Sequence, residues 1–319
     1  MNKHTILTLL LALSISVAFG QGPTFDQWFS NNYLVNPAIG GIEEYTDVQL
    51  GVRQQWSGID GAPQTLYVSA HMPIGINNQG FTPEPEFSRF RPKKDQYKTR
   101  NFAHHGVGIV LVQDAIGAFS TTEARATYAY HLPVSGEWML SGGLGVGYLR
   151  QALNPGKITP SQLDDPALGN TSARHSLVPQ AGLWFYGNAL YLGASYIQYP
   201  GTQVENRFVI NGGYRFQLPY SPFGIMPFAL IRIGGMNQGI DSGIKADWKN
   251  RISLGSTYRS IGDVIVFAGI APAPLLTVNY YFTMGTRKSI SNLAGLTHEL
   301  QISFRLNNRN NVICPQQLW

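Results

Sequence analysis

From Val48 onward the chain is written in segments of about ten residues in which apolar and polar side chains alternate. Between Arg207 and Gln217, Phe208, Ile210, Gly212, Tyr214 and Phe216 fall on one face of an extended strand. Arg207, Val209, Asn211, Gly213, Arg215 and Gln217 fall on the other. A period of two belongs to a strand, because successive side chains point to opposite sides of the backbone. The pattern recurs where Val48, Leu50 and Val52 oppose Gln49, Arg53 and Gln55. It appears again where Leu300, Ile302, Phe304 and Leu306 oppose Gln301, Ser303 and Arg305. Repetition on this scale sets one solvent for each face and points to a sheet closed into a barrel, lipid outside and polar inside.

The rest of the chain is consistent with that constraint. The 319 residues show no composition shift or linker that would divide them into two domains. A net charge of +5 with 13% charged residues lacks the concentrated basic element of a nucleic-acid binder. Beyond the N-terminus no run of about 18 apolar residues appears, which excludes a helical membrane protein but not a barrel. At the N-terminus, Lys3 and His4 precede an apolar stretch from Ile6 to Phe19, and Ala18 and Gly20 place signal-peptide cleavage before Gln21. The single thiol, Cys314, rules out an internal disulfide framework. Stability must then come from hydrogen bonding and burial, which a closed barrel supplies.

Strands are expected near 46–56, 64–74, 104–114, 120–132, 138–151, 176–186, 190–199, 206–217, 224–233, 240–249, 251–260, 264–270, 275–283 and 299–306. That is about 14, the even number of a bacterial single-chain barrel, with both termini in the periplasm. The boundaries that follow are a signal peptide at 1–20, a periplasmic segment or plug at 21–45, the barrel at 46–306 and a tail at 307–319. Short Gly-, Pro- and Asn-rich connections near 133–137, 187–188, 219–222, 249–250 and 271–274 read as periplasmic turns. Longer connections at 152–175 and 284–298 face outward. Residues 75–103 break the rule: a short turn is expected there, yet Arg89, Arg91, Lys93, Lys94, Lys98 and Arg100 lie among prolines. This segment is either a docking site for an acidic partner or for lipid head groups, or a solvated insertion.

The same alternation assigns sides to charges. Ala124, Ala126, Tyr128, Tyr130 and Leu132 face lipid, leaving Glu123, Arg125, Thr127 and His131 in the lumen. Arg53, Arg207, Arg215, Arg251, Arg259 and Arg305 fall inward too. They either pair with acids and water in a polar lumen or line a selective pore or peptide site.

Enzymatic chemistry is not expected. Gly143, Gly145 and Gly147 lie on one face of a strand rather than in the strand–turn–helix of a phosphate loop, and they imply close packing in the lumen or a strongly coiled strand. Gly193, Ala194 and Ser195 lack the closing glycine of a nucleophile elbow. His104 and His105 are neighbours on a strand, so they cannot share a metal. Asp164 and Asp165 lack the further oxygens of a calcium loop. No cofactor or metal is implied.

Several blocks resemble one family, the PorP/SprF-type outer-membrane proteins of the type IX secretion system. The stretch from Phe25 to Gly41, aromatic-rich and running into Asn36, Pro37 and Ala38, is similar to that family's opening. Arg53, Gln54, Gln55 and Trp56, then Gly58, Gly61, Ala62, Pro63, Thr65, Ser69, His71 and Pro73, resemble its first hairpin. Asp114 to Gly117 with Phe119 resemble its second outward turn, and His298, Glu299, Leu300, Ser303 and Phe304 its last strand. Two features depart from the pattern: the length of 75–103, and the tail from Asn307 to Trp319 after the last strand. Physically, Asn36-Pro37 fixes a turn before the first strand. Trp28, Phe29, Tyr33 and Leu34 then lie under or inside the periplasmic mouth. Trp56 reads either as an interface girdle residue or as part of a binding block.

The resemblance implies a non-enzymatic component of the secretion and gliding machinery. In the first reading, the barrel helps to export or anchor a cognate surface protein, and its partners are the C-terminal domain of a secreted cargo or adhesin, other secretion components and outer-membrane lipid. A second reading is a structural link to the periplasmic ring, and a third is a passive porin.

Overall fold

The computed structural model of the protein describes residues 28–75, 102–157, 173–200, 206–218, 220–234, 238–260, 262–285 and 296–307. The expected signal peptide, the basic run within 75–103, Asp164 and Asp165, Cys314 and Trp319 lie outside the described residues.

The strands are β1 (Thr46–Gln54), β2 (Gln64–Ile74), β3 (His104–Ile116), β4 (Phe119–Ser135), β5 (Trp138–Leu153), β6 (Arg174–Tyr186), β7 (Leu190–Ile197) and β8 (Arg207–Tyr214). They continue with β9 (Phe216–Gln217), β10 (Phe223–Ile233), β11 (Gly239–Trp248), β12 (Ile252–Arg259), β13 (Asp263–Ala273), β14 (Leu276–Gly285) and β15 (Thr297–Leu306). β8 and β9 are one stave interrupted at Arg215, and both pair with β10, so the wall has 14 staves. All pairings are antiparallel between sequence neighbours, and β1 against β15 closes the ring, from Thr46 opposite Leu306 to Gln54 opposite His298. Closure leaves no edge and satisfies the backbone without water, which a lipid environment requires.

Side chains sort by the period of two. Val52, Leu66, Ile109, Leu111, Leu144, Val146, Leu183, Ile210, Leu254 and Leu300 are exposed on the outer face. Gln49, Arg53, Thr65, Asp114, Glu123, Arg125, Asn211 and Gln301 are buried on the inner one. The connections at the end where β1 begins and β15 stops include the tight turns 136–137, 187–189, 249–251 and 274–275. Short turns mark the periplasmic end of such barrels.

Two outer connections are also tight. β3 and β4 run further than the alternation suggests and close at Gly117–Ala118, with Ile116 opposite Phe119, because Gly117 accepts a φ of +58°. The other joins β12 to β13, where the Gly262 N–H donates to the Arg259 carbonyl at 2.8 Å.

Residues 28–45 run inside the ring. Trp28, Phe29, Tyr33, Leu34, Ala38 and Ile39 are all buried, and they form one apolar cluster with inward residues such as Val110, Met139, Trp184, Phe228, Phe267 and Tyr281. This cluster is the core of the molecule.

Candidate functional site

The lumen is occupied by the chain's own leading segment, and the local sequence explains the path it takes. Asn36 is extended (φ −141°, ψ 116°), as a residue before proline must be, and its side-chain oxygen accepts from the Ala38 N–H at 3.0 Å. That closes a 3-10 turn over Pro37–Ile39, following a first one at Asn32–Leu34. Gly41, at φ +76°, then redirects the chain toward β1.

The wall grips this segment largely by its main chain. Arg125 donates to the Leu34 carbonyl (3.2 Å) and Ser195 to that of Val35 (2.6 Å). Ser141 donates to Ala38, and the Nε2 atoms of His131 and His104 meet the carbonyls of Gly40 (2.9 Å) and Gly41 (3.1 Å). The Gly41 N–H donates to His71 Nδ1 at 3.3 Å. Each such bond contributes about 1 kcal/mol net, but an unmade one would strand a buried carbonyl. Side chains add to the grip. Asn36 donates to the carbonyls of Leu183 and Ala194, Asn31 to Ser69 Oγ (2.9 Å), and Asn211 to Asn32 Oδ1 (2.8 Å). Tyr33 is bonded to Thr127 Oγ1 at 2.5 Å, and burial pushes its phenol up to about 12 despite that bond and the nearby Arg125 charge.

Inward glycines make room for the segment. A Cβ at Gly106 would overlap the Gly40 carbonyl, one at Gly143 the Pro37–Ala38 backbone, and one at Gly182 the Asn36 side chain. Gly145 and Gly147 instead clear wall side chains, Gln180 and Arg125.

Higher in the barrel, Phe29 stacks on Phe228 (centroids 4.7 Å) and meets Phe267 at 4.4 Å. The Trp28 indole donates to Asp241 at 3.2 Å. Asp241 also takes two bonds from Arg232 (2.6 and 2.7 Å) and one from Arg259 (3.3 Å). Trp28 and Phe29 therefore stand at mid-barrel and above, well past the mouth.

The residues singled out by sequence separate into groups. Arg53 pairs with Glu299 (3.8 Å), and Thr65 donates to Asp114 at 2.5 Å, all four buried toward the outer end of β1, β2, β3 and β15. Above them the Gly58–Pro63 tip is tied to the next hairpin by a Gly117 N–H bond to the Gly61 carbonyl (2.9 Å). Gly58 and Gly61 are exposed, Ala62 and Trp56 half-buried, and Trp56 turns the chain with φ +47°. Asn36, Pro37 and His71 belong to the grip on the segment at the opposite end. His298 instead lies on the outer face, bonded to the Tyr280 hydroxyl at 2.6 Å.

Of the inward charges, Arg125 pairs with Glu123 (3.0 Å), Arg215 with Asp247 (2.8 Å) and Arg259 with Asp241. Arg207 is half-buried near the outer rim, and Arg251 sits exposed in a turn at the mouth. Arg305 bonds the Pro274 carbonyl and Thr277. Sequence reasoning missed Asp241, Arg232, Asp47 and the pairing of His104 with His131, whose rings stack at 4.4 Å. The available signal was the set of inward glycines Gly106, Gly108, Gly143 and Gly182 on three strands, which calls for a body packed against the wall.

A solved outer-membrane protein shares this architecture. Omp33 of Acinetobacter baumannii aligns with a TM-score of 0.50 at 9% identity, over 83% of this chain and 100% of that one. The Pseudomonas putida toluene transporter TodX aligns at 0.45 and 9% identity, over 86% and 92%. At such identity the likeness to Omp33 shows the fold alone. No curated protein matches the sequence. The model of the type IX secretion system membrane proteins PorP/SprF matches residues 17–304, nearly the whole chain, and the protein belongs to that family.

Proposed function

We propose that this type IX secretion membrane barrel acts as a docking component that helps to export or anchor a cognate secreted surface protein, engaging that cargo's C-terminal domain. One observation carries the reading: the lumen is filled by residues 28–45, held by hydrogen bonds from β2, β3, β4, β5, β7 and β8. A conduit needs an open lumen, and a docking platform needs a stiff one. The plug braces the wall from inside, while the bonded tips of the first two hairpins stiffen the outer rim above Arg53, Asp114 and Glu299. The filled lumen weighs against a passive porin.

A pull-down from detergent-solubilised outer membrane tests the reading. Recovery of a secreted protein bearing a C-terminal secretion domain is the expected result; recovery of neither cargo nor secretion component overturns it. Deleting the gene separates roles: loss of one surface protein marks a dedicated anchor, and loss of all cargo a core component.

A further inference from the structure

The outer face of the wall carries one row of side chains that is out of character with the rest. Of the charged residues on the described strands, Arg150 alone stands at an outward position. The others, from Asp47 on β1 to Arg305 on β15, fall on the lumen side of their strands. Arg150 lies three residues from the outer end of β5 and is exposed. No carboxylate among the described residues comes within ion-pair distance of it.

Strand register builds a polar row around Arg150. Gln113, Thr122, Arg150 and His175 are direct cross-strand partners on β3, β4, β5 and β6, and all four are exposed. Neighbouring strands lie about 4.8 Å apart, so the row spans about 14 Å. The Tyr148 hydroxyl meets His175 Nδ1 at 2.5 Å and the two rings stack, which holds the imidazole beside the Arg150 position. Below the row the outward positions of β5 lose their polarity, running through Tyr148, Val146, Leu144, Gly142 and Leu140. At about 3.4 Å per residue these cover about 27 Å of strand. A tilt near 40° turns that into about 20 Å of depth, comparable with the apolar band of about 25 Å on such barrels. Arg150 therefore stands at the outer edge of the hydrocarbon layer, where headgroups begin. At the outer ends of β10, β11 and β12 the outward positions are instead Ile233, Ile240 and Tyr258.

We infer that the row Gln113, Thr122, Arg150 and His175 is a binding site for the phosphate of a phosphorylated lipid in the outer leaflet. A guanidinium presents a planar fork of N–H donors that matches two phosphate oxygens. The Thr122 hydroxyl, the Gln113 amide and the His175 imidazole supply further donors along the same line. A lipid rather than a soluble anion follows from the side of the wall: the row faces away from the lumen, directly above the apolar positions that acyl chains cover. The inference needs only the outer-membrane barrel and is independent of cargo docking.

The test is native mass spectrometry of the full chain released from detergent micelles doped with monophosphoryl lipid A. Its dephosphorylated form, inorganic phosphate and triglutamate serve as comparisons. The phosphorylated lipid is expected to bind about tenfold more tightly than the dephosphorylated one. Arg150→Gln should remove about that tenfold, because it deletes a charge-assisted pair of hydrogen bonds, and Thr122→Val about threefold, for one neutral bond. Arg174→Gln, next to His175 in sequence but on the lumen side of β6, should leave lipid binding unchanged. All three positions lie near the outer ends of their strands, and heat-modifiable gel mobility checks that each variant keeps the barrel. Equal binding of the two lipids, or unchanged lipid binding in Arg150→Gln, overturns the inference. Equal weakening by Arg174→Gln reduces the effect to general surface charge and overturns the site. Inorganic phosphate that displaces the lipid at equal concentration assigns the row to a soluble anion. Arg150-dependent binding of triglutamate in place of the lipid assigns it to an acidic protein, and either result overturns the lipid.

Discussion

Gly142 and Gly143 are neighbours on β5 that face opposite solvents, so an alanine at each makes a paired experiment on the plug. At Gly142 the added Cβ meets only Leu183 Cδ2 at 3.8 Å, an ordinary contact on the lipid side. At Gly143 it would stand 2.5 Å from the Pro37 carbonyl carbon and from Ala38 Cα. Those are backbone atoms of a 3-10 turn, and no rotamer change relieves the overlap. Glycine to alanine in a strand otherwise gains roughly 0.5–1 kcal/mol through the unfolded state, so Gly142→Ala should match or slightly exceed the native protein. Gly143→Ala should lift the Pro37–Ile39 turn at a cost of about 1–3 kcal/mol, equivalent to about a 5- to 150-fold rise in plug opening. The assay is hydrogen exchange on peptides covering residues 28–45 in micelles, with the strand peptides as internal reference. Faster exchange confined to the plug in Gly143→Ala, with Gly142→Ala unchanged, is the expected result. Equal plug protection in the two variants would refute the seating argument, and so would general loss of strand protection.

Three further outcomes follow from the geometry. Asp241→Asn removes the buried carboxylate that Arg232 and Arg259 share, leaving Arg259 its longer pair with Asp263 at 3.8 Å, and weakens the Trp28 anchor, which should cost about 3 kcal/mol and lower the thermal midpoint; an unchanged midpoint refutes the anchor. Arg53→Met takes the paired guanidinium away from the buried Glu299 at a cost of about 3 kcal/mol. The double variant with Glu299→Met should recover much of that, and strict additivity in a double-mutant cycle denies the coupling. Tyr33, raised above its ordinary value of 10.0 to about 12, supports plug seating fully below pH 10.0 and loses that contribution as pH rises toward about 12. Tyr33→Phe should abolish that alkaline loosening, measured as plug hydrogen exchange against pH after correction for intrinsic rates; identical profiles for both proteins contradict the assignment.

Much of the wall was legible from residue order. In β8 and the Arg215 that follows it, the inward set Val209, Asn211 and Arg215 and the outward set Phe208, Ile210 and Tyr214 could be written down without coordinates, because alternation is a property of the extended backbone alone. Inward arginines were visible for the same reason, as was the turn at Asn36-Pro37. Their partners were not. Trp28 meets Asp241 and Gln49 meets Gln301 across more than two hundred residues, and nothing local encodes which inward position ends at which height. Arg232 was passed over in a run, Phe228 to Ile233, that is apolar around it. The three histidines were unreadable as a group because His71, His104 and His131 come from three strands and converge only when β2, β3 and β4 align in register.

The sequence by itself determined a lipid-facing and a polar side, the staves between them, the end that holds the tight turns, and the family through motif blocks at the entry, first hairpins and closing strand. All of these follow from local periodicity or from short contiguous motifs. Tertiary structure decided that the lumen is filled, and that the family-like residues separate into an outer ion-pair cluster and a grip near the periplasmic end. Those outcomes depend on the register in which the ring closes and on the path of residues 28–45 through it, both set by contacts between segments that are remote in sequence.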